Sequence, residues 1–512
     1  MKEIFQQLAI WLGLIAICGC TGQSDTSQSL DKLLGSVYYI STNGDDLNQG
    51  TIDSPWKTFQ HAANQISPGS TVYVREGVYN QKLNISRGGS EAEGPIVFSG
   101  YPNETAVIDG AGLAVNGMEG LVEIENTSYV TIRQLEIRNY TTSTSGEVPV
   151  GIYIHGSGMK INLLENRIHD IANKAIPEGA ELSGRDAHGI AVYGVNARES
   201  LRDLTIEGNE LYDLVLGSSE SLAVNGNVDT FAITNNLIHD NDNIGIDLIG
   251  FEGTADSEAV DQARNGTVKG NTVYRISTND NPSYGTVLPN ESNSAAAIYI
   301  DGGKNNLIEQ NRVYDNDIGI ELASEHAGHV TSGIMVRHNL IYRNRLTGIA
   351  MGGYDEDRGG TAASTIISNT LYDNDLLDAG NGQLYLQASL TGNTITDNIM
   401  IASDSGVLIY NEYTSNTDNV VDHNVYYAES GAKNAVWVWT NSQYTGFASY
   451  QKESGNDSSS LFADPLFMDA AQGDFRLMPG SPIEGKGWSG TVKLMSEDKN
   501  IIATGFEEIG TN

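Results

Sequence analysis

Gly245-Ile246-Asp247-Leu248-Ile249-Gly250 is the stretch whose reading decides the fold. Ile246 and Leu248 alternate with Asp247 and Ile249, the period of a short β-strand with one apolar face. Related copies recur at Gly151-Ile152-Tyr153-Ile154-His155, Gly189-Ile190-Ala191-Val192-Tyr193, Ala297-Ile298-Tyr299-Ile300-Asp301, Gly319-Ile320-Glu321-Leu322-Ala323 and Gly348-Ile349-Ala350-Met351-Gly352. A second phrase answers each: Asn166-Arg167-Ile168-His169-Asp170, then its counterparts beginning at Asn209, Asn236, Asn271, Asn311, Asn339 and Asn369. Those asparagines recur every 27 to 43 residues, the spacing of stacked structural repeats.

A five-residue strand cannot bury its apolar face alone, but copies stacked in register cover one another. The pattern therefore predicts an all-β fold, a single parallel β-helix. The Ile/Val/Leu column faces inward and the third and fifth residues of each copy face outward. The general crossover rule makes the winding right-handed. The recurrent Asn suits a turn, where it tolerates a left-handed backbone and its amide bonds the main chain. Stacked once per coil, these Asn residues form a ladder.

Composition fits this reading. The chain of 512 residues carries 57 glycines and only 18% charged residues, as expected for many tight turns and few surface helices. Its net charge of −36 excludes nucleic acid and anionic membrane surfaces as direct partners. It also makes a polyanionic substrate hard to hold unless a divalent cation bridges. The two cysteines, Cys18 and Cys20, lie near the start, so no disulfide framework exists. The apolar run Leu8–Ile17 is too short to span a membrane and reads as an export signal. Ile17-Cys18-Gly19-Cys20 resembles the bacterial lipoprotein box, which implies lipidation of Cys20. Residues 1–20 are thus expected to be a lipoprotein signal peptide, 21–36 a polar tether, 37–485 the coil and 486–512 an extension with no repeat. The mature chain is expected in the bacterial cell envelope, lipid-anchored, facing the periplasm or the cell surface, and acting as a monomer.

The opening of the coil, Val37-Tyr38-Tyr39-Ile40 through Gly94-Pro95-Ile96-Val97-Phe98, predicts a strand, a turn, a short amphipathic helix from Trp56 to Gln65 and two further strands. The helix would cap the open end of the coil. This opening resembles the N-terminal cap of right-handed parallel β-helix polysaccharide-active enzymes, the pectate-lyase-like superfamily, including polysaccharide lyase family 9 and β-helical glycoside hydrolases. Ala463-Asp464-Pro465-Leu466-Phe467 and Gly473-Asp474-Phe475-Arg476-Leu477 resemble the usual ending of those enzymes. The resemblance implies a polysaccharide or oligosaccharide substrate; it does not fix the reaction, because one fold hosts many chemistries.

Insertions over 173–185, 253–265, 276–294 and 354–363 interrupt the rhythm, and such loops commonly build the binding cleft. Among the outward positions, Asp247, Asp301 and Glu321 fall on three successive coils of one face. Strand spacing of about 4.8 Å brings neighbouring carboxyls within roughly 5 to 9 Å of each other. That range suits retaining and inverting glycoside hydrolysis alike. Asp247 and Asp301 form the leading pair, with Glu321 tuning a pKa by like-charge repulsion. Asp240, which with Asp247 flanks a turn and a strand start and so offers a second acid pair, His188 and Arg185 are secondary catalytic candidates. His155, Tyr193, Asn225, Tyr299, Glu325, His326 and Tyr354 are candidate substrate contacts.

The hydrolase reading requires no cofactor. In a lyase of the resembled family, Ca²⁺ on acids such as Asp242 and Asp247 would acidify the proton α to a uronate carboxyl, and a strand-borne Lys would remove it. Here Asp301 occupies the comparable outward place, and Lys304 and Lys174 lie elsewhere, so Arg185 or His188 would have to serve. A third reading is a non-catalytic glycan-binding solenoid.

Overall fold

The computed structural model describes residues 35–483 apart from residue 181. The signal peptide, Cys20, most of the tether and the extension lie outside the described residues. The chain from Val37 winds through three long sheets, visiting each once per coil. One runs from Val37–Ile40 to Val420–Asp422, one from Gly77–Tyr79 to Leu461–Phe462, and one from Leu83–Ile85 to Ser442–Thr445. They are called here the first, second and third sheets, and their ladders are parallel until the last hairpin of the third. The sequence copies quoted above are third-sheet strands, and the Asn phrases open second-sheet strands.

The third sheet has the register that the alternation predicts. Tyr153 pairs with Ala191, Ala191 with Ala223, Ala223 with Asp247, Asp247 with Tyr299, Tyr299 with Glu321, and Glu321 with Ala350. The inward column of Ile152, Ile190, Leu222, Ile246, Ile298, Ile320 and Ile349 is wholly buried. Register is strongly held here because a slip by one residue would turn every Ile outward.

The Asn ladder is continuous from Asn166 through Asn209, Asn236, Asn271, Asn311, Asn339, Asn369, Asn398 and Asn424. Each side-chain Nδ2 donates to the Oδ1 of the next coil. The left-handed residue is not the Asn but the one before it: Glu165, Gly208, Asn235, Gly270, Gln310, His338, Ser368, Asp397 and His423 all have positive φ. A single left-handed residue turns the chain sharply from the first sheet to the second, and the buried Asn then ties the corner to its neighbour. A shorter ladder, Asn316–Asn344–Asn374–Gln383, holds the next corner.

The capping helix is shorter than the sequence predicts, Phe59–Gln65 instead of Trp56–Gln65. Trp56 bridges Ile40 in an extended backbone, and the Thr58 hydroxyl accepts from the His61 N–H at 3.2 Å, which fixes the start. Phe59, Ala62 and Ala63 are the buried face. Thr58→Ala should cost about 1 kcal/mol, read as a lower midpoint in chemical denaturation. A helix over Phe447–Ser454, not anticipated from the sequence, closes the other end by burying Phe447 and Tyr450 against Trp437.

On the outer side of the second sheet, His169, Tyr212, His239, Tyr274, Tyr314 and Tyr342 stack ring on ring, with centroids 4.7 to 5.3 Å apart. Phe475, from the C-terminal hairpin, abuts the last ring at 5.2 Å.

Candidate active site

The outward face of the third sheet gathers the acids. Asp247, Asp301 and Glu321 lie on the successive strands Ile246–Ile249, Ala296–Asp301 and Ile318–Ala323, on one sheet, as predicted. Their exposure differs from the expectation of a wet face: they are 3%, 4% and 8% exposed. The insertions account for this. Residues 276–294 fold back over the sheet margin, where Asn281 Nδ2 donates to the Gly217 and Asp242 carbonyls at 2.7 and 2.9 Å and the Tyr284 hydroxyl donates to Asn243 Oδ1 at 3.3 Å. Asp317 orders the start of this insertion by accepting from the Thr278 N–H at 2.9 Å. Ala296, Tyr299, Ile318, Ala323 and Ala350 form a small apolar layer outside the sheet.

Buried like charges set the electrostatics. Burial, then Glu220 and Asp301, hold the Asp247 carboxyl well above the usual range. Burial and Glu325 do the same for Asp301, opposed by the Glu325 N–H, which donates to Asp301 Oδ1 at 2.8 Å. Burial pushes Glu321 up to about 8, with Glu325 adding to it. Tyr299 stands between Asp247 and Glu321 in the pairing, and its hydroxyl donates to Glu325 Oε1 at 3.4 Å. Burial drives that phenol upward, reinforced by Asp301 and Glu321. Asp247 Oδ1 has no hydrogen-bond partner.

Two acids that the sequence reading missed complete the cluster. Glu220 lies in the turn before Leu222–Gly226, and burial, then Glu252, raise its carboxyl well above the ordinary range. Glu252 follows the strand of Asp247, and its Oε2 accepts from Asn225 Nδ2 at 3.0 Å. Neither occupies a position in the repeated strand phrase, so the alternation carried no signal for them.

The other candidates divide. Tyr193 and Asn225 sit one coil apart on the same face, in register. His188 is buried with Nδ1 3.2 Å from the Glu220 carbonyl oxygen, and burial pushes its imidazole down to about 4, so it is neutral near pH 7. Arg185 is buried, and desolvation lowers its guanidinium from the usual value against the pull of Asp242. Tyr354 is an exposed rim residue with the Arg358 guanidinium 4.6 Å from its ring centre. His155 stands three strand pairings from Asp247, 2.9 Å from Glu123 Oε1, outside the acid cluster. Asp240 is not a partner for Asp247. It belongs to the second sheet, where it pairs with Arg275 at 2.7 Å and His239 at 2.6 Å. A sharp corner separates the two acids despite their closeness in sequence.

Asp242 and Asp247 do not fit a shared Ca²⁺ site. Asp242 accepts from the Leu216 N–H at 2.7 Å and faces Arg185, whereas Asp247 faces Glu220, Asp301 and Glu252. The Leu216 N–H and Arg185 already engage Asp242, and the oxygen-rich shell that Ca²⁺ requires is not assembled around the pair.

Comparison with known proteins places this geometry. Residues 38–190 match the description "Pel9A-like, right handed beta helix region", and residues 291–449 match "Right handed beta helix region", in agreement with the crossover rule. The chain is 42% identical over 459 residues to the uncharacterized protein YwoF of Bacillus subtilis, covering 90% of this chain and 94% of that one. It is 28% identical over 174 residues to pectate lyase PEL9 of Emericella nidulans, covering 31% and 39% of the two chains. Among solved structures, the GH136 lacto-N-biosidase of Eubacterium ramulus superposes with a TM-score of 0.53 at 18% identity, over 85% of this chain and 68% of that one, a likeness of fold. The chain is a right-handed parallel β-helix protein and belongs to one family with YwoF.

Proposed function

We propose that the chain is an extracellular carbohydrate-active enzyme that cleaves glycosidic bonds by a paired-carboxylate mechanism. The observation that carries this reading is the convergence of Glu220, Asp247, Asp301 and Glu321 on one face of a rigid sheet, each with its carboxyl held above the usual range. A buried acid that keeps its proton near neutral pH is what protonation of a leaving oxygen needs. Glu321 is assigned this role. Asp247, with an unpartnered Oδ1, is assigned the second: in its ionised form it takes a proton from water as the hydroxyl adds to the anomeric carbon, and the burial and like charges that raise its proton affinity make it the stronger base once ionised. Asp301 is tied by the Glu325 N–H and positions the charge between them. This division differs from the Asp247–Asp301 pairing that the sequence suggests, because the fixed Asp301 oxygen is already engaged. Two strand spacings set the Asp247 and Glu321 backbones roughly 10 Å apart. Tyr299 lies on the strand between them, and a separation of that order is nearer the inverting than the retaining arrangement.

Lyase action is the second reading, supported by the relation to PEL9 and by the Pel9A-like description. That description ends at residue 190, before every acid of the cluster. A panel of neutral and uronate glycans separates the two. Hydrolysis is expected, with new reducing ends and no new ultraviolet absorbance; an absorbing unsaturated product would replace this reading with elimination, and binding without any product would remove both. Anchoring through a lipid on Cys20 belongs to the same proposal, and the mass of the N-terminal peptide from a membrane fraction tests it.

A further inference from the structure

Beside the acid pair, three side chains from three separate segments converge. Glu252 comes from the loop after one third-sheet strand, Asp301 from the end of the next, and His326 from the loop after the one beyond. One ligand-type atom from each lies within 4.8 Å of the other two. These positions are built in. The Asp261 carboxylate accepts from the Gly253 and Ala255 N–H groups at 2.7 and 2.8 Å, which shapes the turn that presents Glu252. Phe251, with a left-handed backbone (φ 69°), stacks on His329 at 4.2 Å and anchors the same turn. Asp301 is oriented by the Glu325 N–H, one residue from His326.

Two further observations point to a ligand here. His326 Nε2 is buried and has no hydrogen-bond partner. Asn225, 1% exposed, donates Nδ2 to Glu252 and leaves its Oδ1 unanswered. Orphaned polar atoms of this kind are costly and call for a partner. Their neighbourhood is strongly anionic, with Glu220, Asp247, Glu321 and Glu325 around it and Arg358 as the cation facing Glu325.

We infer that Glu252, Asp301 and His326 bind one divalent cation of the Zn²⁺ or Mn²⁺ kind. An imidazole nitrogen with two carboxylates suits such borderline ions, whereas Ca²⁺ takes a shell of oxygens. Bonds of about 2.1 Å at the tetrahedral angle place two ligand atoms ~3.4 Å apart, so side-chain rotation that draws the three atoms together from within 4.8 Å completes the site. Three protein ligands leave a coordination position for water or a substrate oxygen. The site goes beyond the cleavage reading and is tested without it.

The test uses the exported chain without its leader, stripped with chelator and titrated with Zn²⁺, Mn²⁺ and Ca²⁺ separately by calorimetry, with Co²⁺ as a visible-absorbance probe. One Zn²⁺ or Mn²⁺ per chain is expected, with a dissociation constant below about 10 µM. His326→Ala and Glu252→Gln should each weaken it by roughly ten- to a hundredfold and abolish the Co²⁺ spectrum. Both variants alter exposed loop segments, and unchanged far-ultraviolet dichroism confirms their fold. Absence of stoichiometric binding, binding indifferent to both substitutions, or Ca²⁺ bound more tightly than Zn²⁺ and Mn²⁺ would each overturn the assignment. A chain that binds the cation but cleaves no glycan keeps this site and loses the reading above; cleavage with no cation bound does the reverse.

Discussion

Glu321→Gln is expected to lower turnover on a cleaved glycan by roughly 10²- to 10⁴-fold, the usual worth of a positioned general acid, and to leave the fold intact. The substitution replaces a carboxyl that is neutral near pH 7 by a neutral amide of the same shape. Asp247→Asn should lower turnover by orders of magnitude for the complementary reason, since an amide cannot take a proton from water. The same carboxyl predicts a pH signature. Its folded pKa of about 8 lies above the ordinary value of 4.5. Between those values the folded chain holds a proton that the unfolded chain has lost, so this group's contribution to stability falls as pH rises through that window and levels off above it. The full difference is on the order of a few kcal/mol. Thermal melts of chelator-treated protein from pH 5 to 9 should therefore show midpoints falling with pH, and the fall should be shallower in Glu321→Gln. Activity should decline above about pH 8 as the acid loses its proton. Turnover within threefold of the parent in Glu321→Gln would withdraw the role given to this residue.

The second large effect concerns the scaffold. Asn311 is fully buried, and its side chain and N–H serve five hydrogen bonds. Its Oδ1 accepts from the backbone and side-chain N–H groups of Asn271 at 2.9 and 3.0 Å. Its Nδ2 donates to the Val268 carbonyl and to Asn339 Oδ1, both at 3.0 Å, and its own N–H donates to Asn339 Oδ1 at 2.9 Å. Asn311→Ala keeps the last of these. It strands the Asn271 N–H in the interior, where an unsatisfied group costs about 1–3 kcal/mol, and it removes the side-chain bonds to Asn271, Val268 and Asn339. A total loss of roughly 3–5 kcal/mol should appear as a large drop in the denaturation midpoint. A loss below 1 kcal/mol would mean that water enters and replaces the amide.

Much of this architecture was legible in the residues. Alternation in Ile246–Ile249 and its copies gave the inward column, the register and the placing of Asp247, Asp301 and Glu321 on adjacent coils, because a two-residue period leaves no other way to bury those side chains. The ladder was legible as well, although its left-handed position was not: Gly208 and Gly270 precede the Asn, but Glu165, Gln310 and Ser368 do so without any local preference for that backbone. The rest depended on loops. Glu220 and Glu252 reach the cluster through turns set by Asn281, Asp261 and Phe251, contacts distant in sequence that no periodicity encodes. For the same reason burial of the acids was hidden, since it comes from the folding of insertion 276–294 over the sheet. Asp240 was misplaced because seven residues along the chain conceal a corner. The terminal helix over Phe447–Ser454 offered only a Phe447 and Tyr450 pair between two glycines, too little for a helical period.

The column of rings from His169 to Tyr342 carries one more implication. Each ring covers the face of the next, so separating any two adjacent coils would wet two aromatic surfaces at once, and Phe475 shields the terminal one. Fraying from the C-terminal side must first dislodge that hairpin. The coils that carry the acids thus share their fate with those on either side, and the central coils should come apart as a block, not turn by turn.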